Sequence, residues 1–489
     1  MNLLVLLLLA PLVTAGLLPR VPKIYLRTAA MLGTGLSLLL ALVAFEMAGS
    51  GVPLTFNGAW APAAGIGLRL EADGVSGALL ALNGLLFMLA VLATRVGEID
   101  RPRLFLALLL SAEAAVSGAL LARDLVFFFV CFDAVLVPVF FLVSIFGEGN
   151  RQAAAIKLLV YTGVGSLAML LSILALYAAQ PAATASFAFD HLSQVRLSGA
   201  SLFLGLSTAD LAFVGFALAF AVKSPMFPFH GWLPDAYTAA PTPVVMVLAG
   251  VISKLGPYGF YRVAIGLMPA SAPRFSPLLM TLSAVGIVYG ALVALRQDDA
   301  KRMVAYLSLS HMCFITLGIL TLTSAGMAGG VLQMVNHGIL VAGLFFIVGH
   351  LERRLRTRQR SRIRGISGRA PALAAVFLVL ALATLGLPGL NGFAGEYLVM
   401  LGAAARSGWL VLLSAAGVVL AAWYTLRLYQ GTMNGPREPG EAIDIDLDDS
   451  YVLVPLAALA VLIGVYPALV VDTINRALPE VTRALGGGG

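Results

Sequence analysis

Apolar stretches of about 20 residues recur from one end of this 489-residue chain to the other. A stretch of that length crosses the hydrocarbon core of a bilayer when it is helical. Only 11% of the residues are charged, whereas soluble domains carry roughly 25%. Because a backbone in hydrocarbon must satisfy its own hydrogen bonds, the sequence predicts an all-α polytopic membrane protein.

We predict about fourteen transmembrane helices. They are expected at residues 2–18, 24–48, 73–96, 102–121, 124–146, 152–179, 205–229, 241–268, 276–295, 302–323, 325–350, 372–402, 408–430 and 451–475. The first stretch resembles a signal peptide but lacks a basic segment before it, so it is counted as a span.

Basic residues in the predicted connections indicate the orientation. Connections after odd-numbered spans hold most of the Lys and Arg residues, including seven arginines between Arg353 and Arg364, whereas the other connections hold little beyond Arg123, Arg196, Arg274 and Arg406. The positive-inside rule then places both termini on the outer, periplasmic side. The Ala/Arg-rich composition favours a bacterial plasma membrane. Since the net charge of +7 arises in these connections, it indicates no nucleic-acid partner.

The seventh predicted span carries Lys223 at the end of an apolar run, followed by Pro225, Pro228 and His230. A lysine inside a bilayer is costly unless it is paired, hydrated or neutral. Proline breaks a helix, and a broken helix in a membrane is tolerated where it is buried in protein or lines a wet cavity. The stretch predicts part of an ion path; the alternative is a lysine that snorkels to the surface.

Further ionisable residues lie in the centres of predicted helices or at breaks. They are Glu113, Asp133, Lys254, His311, His337 and Glu396. Pro388 and its neighbouring glycines predict a second broken helix, in span 12. A lone buried histidine is usually structural, but two histidines between two lysines and a glutamate are consistent with a lateral chain of proton sites. A switching Lys223–Asp133 pair is a hypothesis, since pairing holds the proton on a lysine and burial favours its release.

Spans 4–8 and 9–13 form two similar blocks, each with a broken helix as its fourth member. Such a pattern is typical of internal repeats in transporters. We expect four regions: N-terminal helices 1–101, a first repeat 102–268, a second repeat 269–430, and an acidic loop, last helix and glycine tail at 431–489.

Six segments, in order and spacing, match one known family. They begin at Asp124, Lys157, Lys223 (Lys-Ser-Pro-Met-Phe-Pro-Phe-His-Gly-Trp-Leu-Pro-Asp-Ala), Ala249 (Ala-Gly-Val-Ile-Ser-Lys-Leu-Gly-Pro-Tyr-Gly-Phe), Tyr306 (Tyr-Leu-Ser-Leu-Ser-His-Met) and Leu385 (Leu-Gly-Leu-Pro-Gly-Leu-Asn-Gly-Phe-Ala-Gly-Glu). Through them the chain resembles the antiporter-like membrane subunits of respiratory complex I, the proton-pumping NADH:quinone oxidoreductase, and most of all their subunit M branch. The resemblance covers essentially the whole chain.

This resemblance implies fourteen helices, two inverted five-helix repeats and a proton pathway. Lys223 matches the family's central lysine and Lys254 its bridging lysine, while His311 and His337 fall at relay positions. Glu396 matches the terminal carboxylate that separates subunit M from its lysine-bearing sisters. Glu113 matches a frequent glutamate, and Asp133 stands where the family usually has glutamate. The Trp-Leu-Pro-Asp-Ala-His motif ends here in Tyr237.

The resemblance also implies a proton-translocating subunit without a cofactor of its own. NADH, FMN, iron–sulfur clusters and quinone are expected in partner subunits, and the partners are the other membrane-arm subunits, including sister antiporter-like subunits. No motif for a nucleotide, haem, metal or iron–sulfur cluster occurs in the chain. The alternatives are a subunit of a multi-subunit Na⁺(K⁺)/H⁺ antiporter or of a related hydrogenase or ferredoxin-linked complex, and an inactive membrane scaffold.

Overall fold

The structure, a computed structural model, describes residues 2–52, 54–181, 184–194, 205–436 and 443–485. Arg196 and the glycine tail, both named in the sequence predictions, lie outside these residues. Within them, twelve helices are long and apolar enough to cross a membrane. The predicted multi-pass helical architecture is confirmed.

The helices of the described residues are numbered in chain order. They are α1 Leu3–Leu17, α2 Leu26–Gly49, α3 Gly74–Ala93, α4 Pro102–Leu121, α5 Leu125–Ala134, α6 Leu136–Phe146, α7 Arg151–Ala178, α8 Phe189–Leu192, α9 Thr208–Lys223, α10 Leu233–Ala239, α11 Thr242–Gly250, α12 Leu255–Gly259, α13 Ala272–Arg296, α14 Ala300–Leu320, α15 Ser324–Leu355, α16 Pro371–Thr384, α17 Asn391–Ala404, α18 Gly408–Met433, α19 Leu447–Val465 and α20 Ala468–Ala484.

The seventh and twelfth spans are interrupted, as the sequence predicted. Pro225 and Pro228 lie between α9 and α10, and Pro388 lies between α16 and α17 with Gly386 and Gly389 at positive φ. Prolines remove helix hydrogen bonds, and glycines accept the left-handed backbone of the turn. Each pair of half-helices counts as one span, so the described residues are consistent with fourteen crossings.

The eighth span was predicted as one helix, but it is irregular. After α11 the chain makes a 3₁₀ turn at Ile252–Lys254, continues as α12, and widens into a π-helical turn at Phe260–Ile265. Pro257 explains part of this, because it cannot donate an α-helical hydrogen bond to the Ser253 carbonyl. Lys254 therefore lies at a break in a third helix.

Two further spans differ from their predicted extent. The fifth divides at Val135 into α5 and α6, and Pro138 cannot donate to the Ala134 carbonyl. The fourteenth was predicted to reach residue 475, but α19 ends at Val465, before Pro467, and α20 is a separate amphipathic helix. A residue before proline disfavours the helical conformation, which explains this earlier end.

The predicted connection 49–72 contains an antiparallel hairpin, formed by β1 Leu54–Ala61 and β2 Ile66–Ala72. Its second strand bridges to the connection after α4 through Leu70 and Ala122. The connection after α7 joins the same group through Asp124 and Ala188. Three connections that follow even-numbered spans thus meet on one face of the bundle.

The centre of the bundle consists mainly of α11, α14 and α15. Every residue of α15 from Gly326 to Leu351 is buried. Peripheral helices such as α7 and α18 instead expose large apolar side chains, including Leu171 and Leu412. The division into the four regions given above stays a prediction, but the buried centre is where the ionisable residues meet.

Candidate functional site

Lys223 lies at the end of α9, where the first interruption begins. Its side chain is buried, at 3% relative exposure. The Nζ atom donates to the Phe132 carbonyl at 3.3 Å and lies 4.6 Å from the centroid of the Phe132 ring. Pro225 prevents α9 from continuing. The lysine amine thus faces the end of α5, beside Asp133.

Asp133 accepts a hydrogen bond from Ser166 of α7. Among the described residues, no ion pair within 4.0 Å joins Asp133 to Lys223, although the two groups are close enough to interact electrostatically. The predicted pair is therefore an indirect one in this structure. The Asp133 carboxylate instead accepts a hydrogen bond from Ser166, a partner that the sequence did not reveal.

Lys254 lies in the 3₁₀ turn and is buried at 1% relative exposure. Its Nζ atom donates to the Ala249 carbonyl and lies 3.4 Å from Ser253 Oγ. It also lies 2.7 Å from Nδ1 of His337, on α15. The turn aims this amine at the centre of the bundle.

The two histidines continue the chain of polar groups from Lys254. The rings of His337 and His311 have centroids 5.7 Å apart and are nearly parallel, with an interplanar angle of 27°. Nε2 of His337 has no hydrogen-bond partner among the described residues. Nε2 of His311 lies 3.3 Å from the Tyr424 hydroxyl on α18. Sequence reasoning missed Tyr424, since nothing in its apolar run distinguishes it.

Glu396 closes this series on α17, just after the second interruption. Its Oε1 atom lies 3.8 Å from Nδ1 of His311. The interruption itself approaches the carboxylate, because a Cβ placed on Gly386 would lie 2.5 Å from Oε2 of Glu396. Asn336 of α15 holds the start of α17 by donating to the Asn391 carbonyl at 2.6 Å. We call Lys254, His337, His311 and Glu396 the central chain.

Two predicted residues lie apart from the central chain. Glu113 on α4 is fully buried, and its carboxylate oxygens have no hydrogen-bond partner among the described residues. His230 packs against Phe227 and Tyr289, with ring centroids 5.8 and 4.9 Å away. Neither makes a hydrogen bond to Lys223 or to the central chain in the part of the molecule that the structure describes.

A small cavity lies beside Lys223. It has a volume of about 10 Å³ and is lined by Lys223, Ser253, Thr162 and Trp232 together with apolar side chains. That volume is close to the space that a single water needs. Ser253 Oγ lies 3.4 Å from Lys254 Nζ, so the cavity extends from Lys223 to a side chain that contacts Lys254. Ser253 was a second residue missed from the sequence.

The described residues contain no candidate metal site. No group of three or more His, Cys, Asp or Glu side chains lies close enough to hold a metal ion there. Both cysteines, Cys131 and Cys313, are free and buried.

Comparison with known proteins identifies the family. The sequence model of the family described as NADH:quinone oxidoreductase/Mrp antiporter, TM matches residues 122–422, more than half of the chain. This chain belongs to that family. The NADH-quinone oxidoreductase subunit M of Rhodobacter capsulatus is 36% identical over 452 residues, covering 91% of this chain and 87% of the relative.

Solved structures agree with this family assignment. A chain of respiratory complex I from Thermus thermophilus with bound NADH is 33% identical and superposes with a TM-score of 0.89, covering 99% of this chain and 100% of that chain. A chain of the Mrp complex from Dietzia sp. has a TM-score of 0.86 at 20% identity, covering 100% of both chains, a likeness that shows the fold alone. The resemblance predicted from the six segments is confirmed, and the chain is an antiporter-like membrane subunit of this family.

Proposed function

We propose that this chain translocates protons across the membrane as a non-redox subunit of a complex I-type NADH:quinone oxidoreductase. The observation that carries the proposal is the central chain, in which four buried ionisable side chains follow one another between two helix breaks. Buried ionisable groups are costly in a membrane protein and typically mark ion pathways. Family membership supports the same function.

The histidines are suited to relay a proton. Imidazole takes a proton at one ring nitrogen and releases one from the other. In His311, Nδ1 faces Glu396 and Nε2 faces Tyr424, so the two nitrogens contact different groups. His337 stands between His311 and Lys254. His337, His311 and the Glu396 carboxylate are thus the successive titratable groups toward which a proton leaving Lys254 can move.

Lys223 and Asp133 form the other end of the proposed pathway. A carboxylate near a lysine favours the charged amine, so moving or neutralising Asp133 promotes proton release from Lys223. The released proton reaches Lys254 through the small cavity beside Ser253. Glu113 and His230 are proposed as outlying proton sites, since each has an unpartnered polar side-chain atom in the described residues.

The redox chemistry belongs, in this proposal, to partner subunits. Those subunits carry FMN, iron–sulfur clusters and the sites for NADH and quinone, and sister antiporter-like subunits adjoin this chain in the membrane arm. The chain is proposed to lie in a bacterial plasma membrane with both termini on the periplasmic side. The arginines that follow the odd-numbered spans support this orientation.

A purification under mild conditions tests the family branch. The tagged chain, isolated from native membranes in mild detergent, is expected to bring flavin- and iron–sulfur-containing subunits and NADH:quinone activity with it. Small membrane partners without redox activity would instead establish the Na⁺(K⁺)/H⁺ antiporter function, which cation-dependent proton exchange would then confirm.

A substitution at Lys223 tests the pathway itself. In membrane vesicles that contain the complex with Lys223→Ala, we expect NADH-driven proton translocation to fall by about 100-fold, as for loss of a positioned proton carrier. Detection of the assembled complex by its subunit content is the control. An assembled Lys223→Ala complex with full proton yield would refute the pathway and favour a scaffold.

A further inference from the structure

A large open cavity lies on the face of the bundle opposite the β-hairpin. Its volume is about 1330 Å³. Its walls come from connections after odd-numbered spans, at Arg95–Arg101, Glu148–Gln152, Pro241–Pro243, Asp298–Asp299 and Gly349–Arg362. These connections carry the excess of basic residues, so the positive-inside rule places the cavity on the cytoplasmic side. We call it the vestibule.

Glu352 occupies the inner edge of the vestibule. Its Oε1 atom lies 3.4 Å from Arg358 Nη1, and its Oε2 atom lies 3.8 Å from Lys301 Nζ. The Glu352 side chain is 21% exposed and that of Lys301 only 2% exposed. Glu352 therefore contacts both the solvent-filled cavity and a buried amine behind it.

Lys301 is a buried lysine that the central chain does not include. Its Nζ atom donates to the Ala240 carbonyl at 2.8 Å, at the end of α10. Besides Glu352, the charged groups that face it are Glu148, Arg358 and Asp299, two residues earlier in the chain. The end of α10 also favours a positive charge, because the carbonyls there point at the amine. Lys301 is thus held between a carboxylate at the vestibule and the second half of the interrupted seventh span.

We propose that the vestibule admits protons from the cytoplasm and that the Glu352–Lys301 pair is the first buried site that takes them up. The charged Lys301 passes one proton inward and becomes a neutral amine. The Glu352 carboxyl, protonated from cavity water, then gives its proton to Lys301, and the ion pair is restored. One proton has moved inward, and the pair has its original charge.

Two helices lead from the vestibule to the central chain. α11 begins at the vestibule with Thr242, and the chain reaches Lys254 about 18 Å further on at 1.5 Å per residue. α15 lines the vestibule with Phe346 and carries His337 about 14 Å deeper. Both helices therefore lead from the vestibule to the contact between Lys254 and His337.

Substitutions in the intact complex test the uptake site. In membrane vesicles, Glu352→Gln is expected to slow NADH-driven proton uptake and the coupled quinone reduction by about tenfold or more. A positioned proton carrier contributes roughly 100-fold to a rate, and this variant is expected to lose part of that contribution. Glu352→Asp is expected to retain more activity than Glu352→Gln. The matched control is Asp100→Asn, which removes an exposed carboxylate from the same vestibule and is expected to leave the rate unchanged.

A solvent isotope effect separates proton uptake from a folding defect. If Glu352→Gln makes uptake rate-limiting, the ratio of turnover rates in H₂O and D₂O rises above the wild-type ratio. A structural fault lowers the amount of active complex and leaves that ratio unchanged. A Glu352→Gln complex with the wild-type rate and proton yield would overturn the proposal.

Cysteine labelling tests the sidedness of the vestibule even where Glu352→Gln fails to assemble. Ser144 lines the vestibule, and Ser144→Cys is a small change in a chain whose own cysteines are buried. A membrane-impermeant maleimide is expected to label this chain in inverted vesicles and not in right-side-out vesicles, and the label is expected to slow quinone reduction. Labelling only from the outer face, or none from either side, would contradict the proposal.

The uptake site rests on the proposed proton translocation, and the two fail in distinguishable ways. Full proton translocation by the Lys223→Ala complex would refute both the proposed function and the uptake site. Loss of proton translocation in Lys223→Ala together with full translocation in Glu352→Gln would refute only the proposed uptake site.

Discussion

Lys254 Nζ lies 2.7 Å from Nδ1 of His337, and both side chains are buried. When Lys254 is protonated, its ammonium group has only donors, so His337 Nδ1 then accepts from it and carries no proton of its own. A proton on His337 Nδ1 as well would place two hydrogens between Nδ1 and the Lys254 amine. In that state the two residues share one positive charge, and transferring the proton charges His337 as it neutralises Lys254.

This shared charge predicts the results of two substitutions of Lys254. Lys254→Met keeps the length of the side chain but removes the proton, and Lys254→Arg keeps a charge that arginine does not release. Both are expected to lower proton translocation by about 100-fold. The measurement is NADH-driven proton uptake per assembled complex. Activity retained in Lys254→Arg would show that a fixed charge is sufficient and that Lys254 does not transfer a proton.

Much of the architecture and of the central chain follows from the sequence, for identifiable reasons. Length and hydropathy predict helices, prolines predict the interruptions in spans 7 and 12, and charged residues inside apolar runs are rare enough to single out Lys223 and Glu396. The sequence also contains local patterns for two structural features that the sequence predictions missed. Pro257 explains the irregular eighth span, and the alternating Ile66, Leu68 and Leu70 indicate a strand.

Contacts between helices distant in the chain could not be predicted. His311 and Tyr424 are 113 residues apart, and no local pattern reports which faces of α14 and α18 meet. Recognising two residues from the sequence does not predict that they touch, as Lys223 and Asp133 show. Both residues were recognised from the sequence. Whether they form an ion pair depends on the rotation of their helices and on Ser166, which donates a hydrogen bond to the Asp133 carboxylate.

The turn before Glu396 provides a test that does not alter the carboxylate itself. Gly386 has φ +77°, and a Cβ on it would lie 2.5 Å from Oε2 of Glu396. Gly389 has φ +90°, and a Cβ on it would point into open space, with no neighbouring atom within 4 Å. Each Gly→Ala change therefore costs backbone strain of about 1–2 kcal/mol, but only Gly386→Ala displaces Glu396. We expect Gly386→Ala to lower proton translocation as Glu396→Gln does, and Gly389→Ala to lower only thermal stability.

The comparison of these glycine variants separates positioning from strain. Translocation per assembled complex is measured beside the thermal unfolding midpoint. Equal translocation by the Gly386→Ala and Gly389→Ala complexes would show that the position of the Glu396 carboxylate does not matter.

A buried ion pair next to the β-hairpin predicts a stability change without a change in translocation. Asp73 caps α3 and pairs with Arg262 of the π-helical turn. Burial raises the pKa of the Asp73 carboxyl, but Arg262 and Arg123 together with the Ser76 backbone N–H lower it to about 2. Asp73→Asn keeps the cap and removes the charge. We expect it to destabilise the folded chain by up to about 3–5 kcal/mol, because the buried ion pair between Asp73 and Arg262 is broken.

The pH dependence of this pair has a definite sign. A carboxyl whose pKa is about 2 in the folded chain, below its ordinary 3.8, contributes stability that is present above about pH 4 and is lost as the pH falls towards about 2. The difference in thermal stability between wild type and Asp73→Asn is therefore expected to be constant between about pH 6 and pH 8. A difference that changes in this range would show that another group is responsible.

Tyr237 stands where the resemblance to the family implies a histidine, and its position predicts a neutral relay. The ring packs on Trp232 and Phe345, with centroids 6.1 and 5.7 Å away. Its hydroxyl lies 3.5 Å from the Leu248 carbonyl and faces the hydroxyl of Ser253, the neighbour of Lys254. A hydroxyl accepts one proton while it donates another, so it relays without ever being ionised.

Removing this hydroxyl is expected to slow the proton step while leaving the packing intact. Tyr237→Phe is expected to lower translocation about tenfold and stability by only about 1 kcal/mol, the contribution of one hydrogen bond. Tyr258→Phe is the control for translocation, because it also removes a buried hydroxyl away from Ser253. That hydroxyl donates to the Leu120 carbonyl at 2.7 Å and accepts from Arg262 Nε at 3.3 Å, so its loss is expected to cost more stability. If only Tyr237→Phe loses proton yield, the Tyr237 hydroxyl is part of the pathway. If both retain full yield, Tyr237 serves packing alone, and protons reach Lys254 without it.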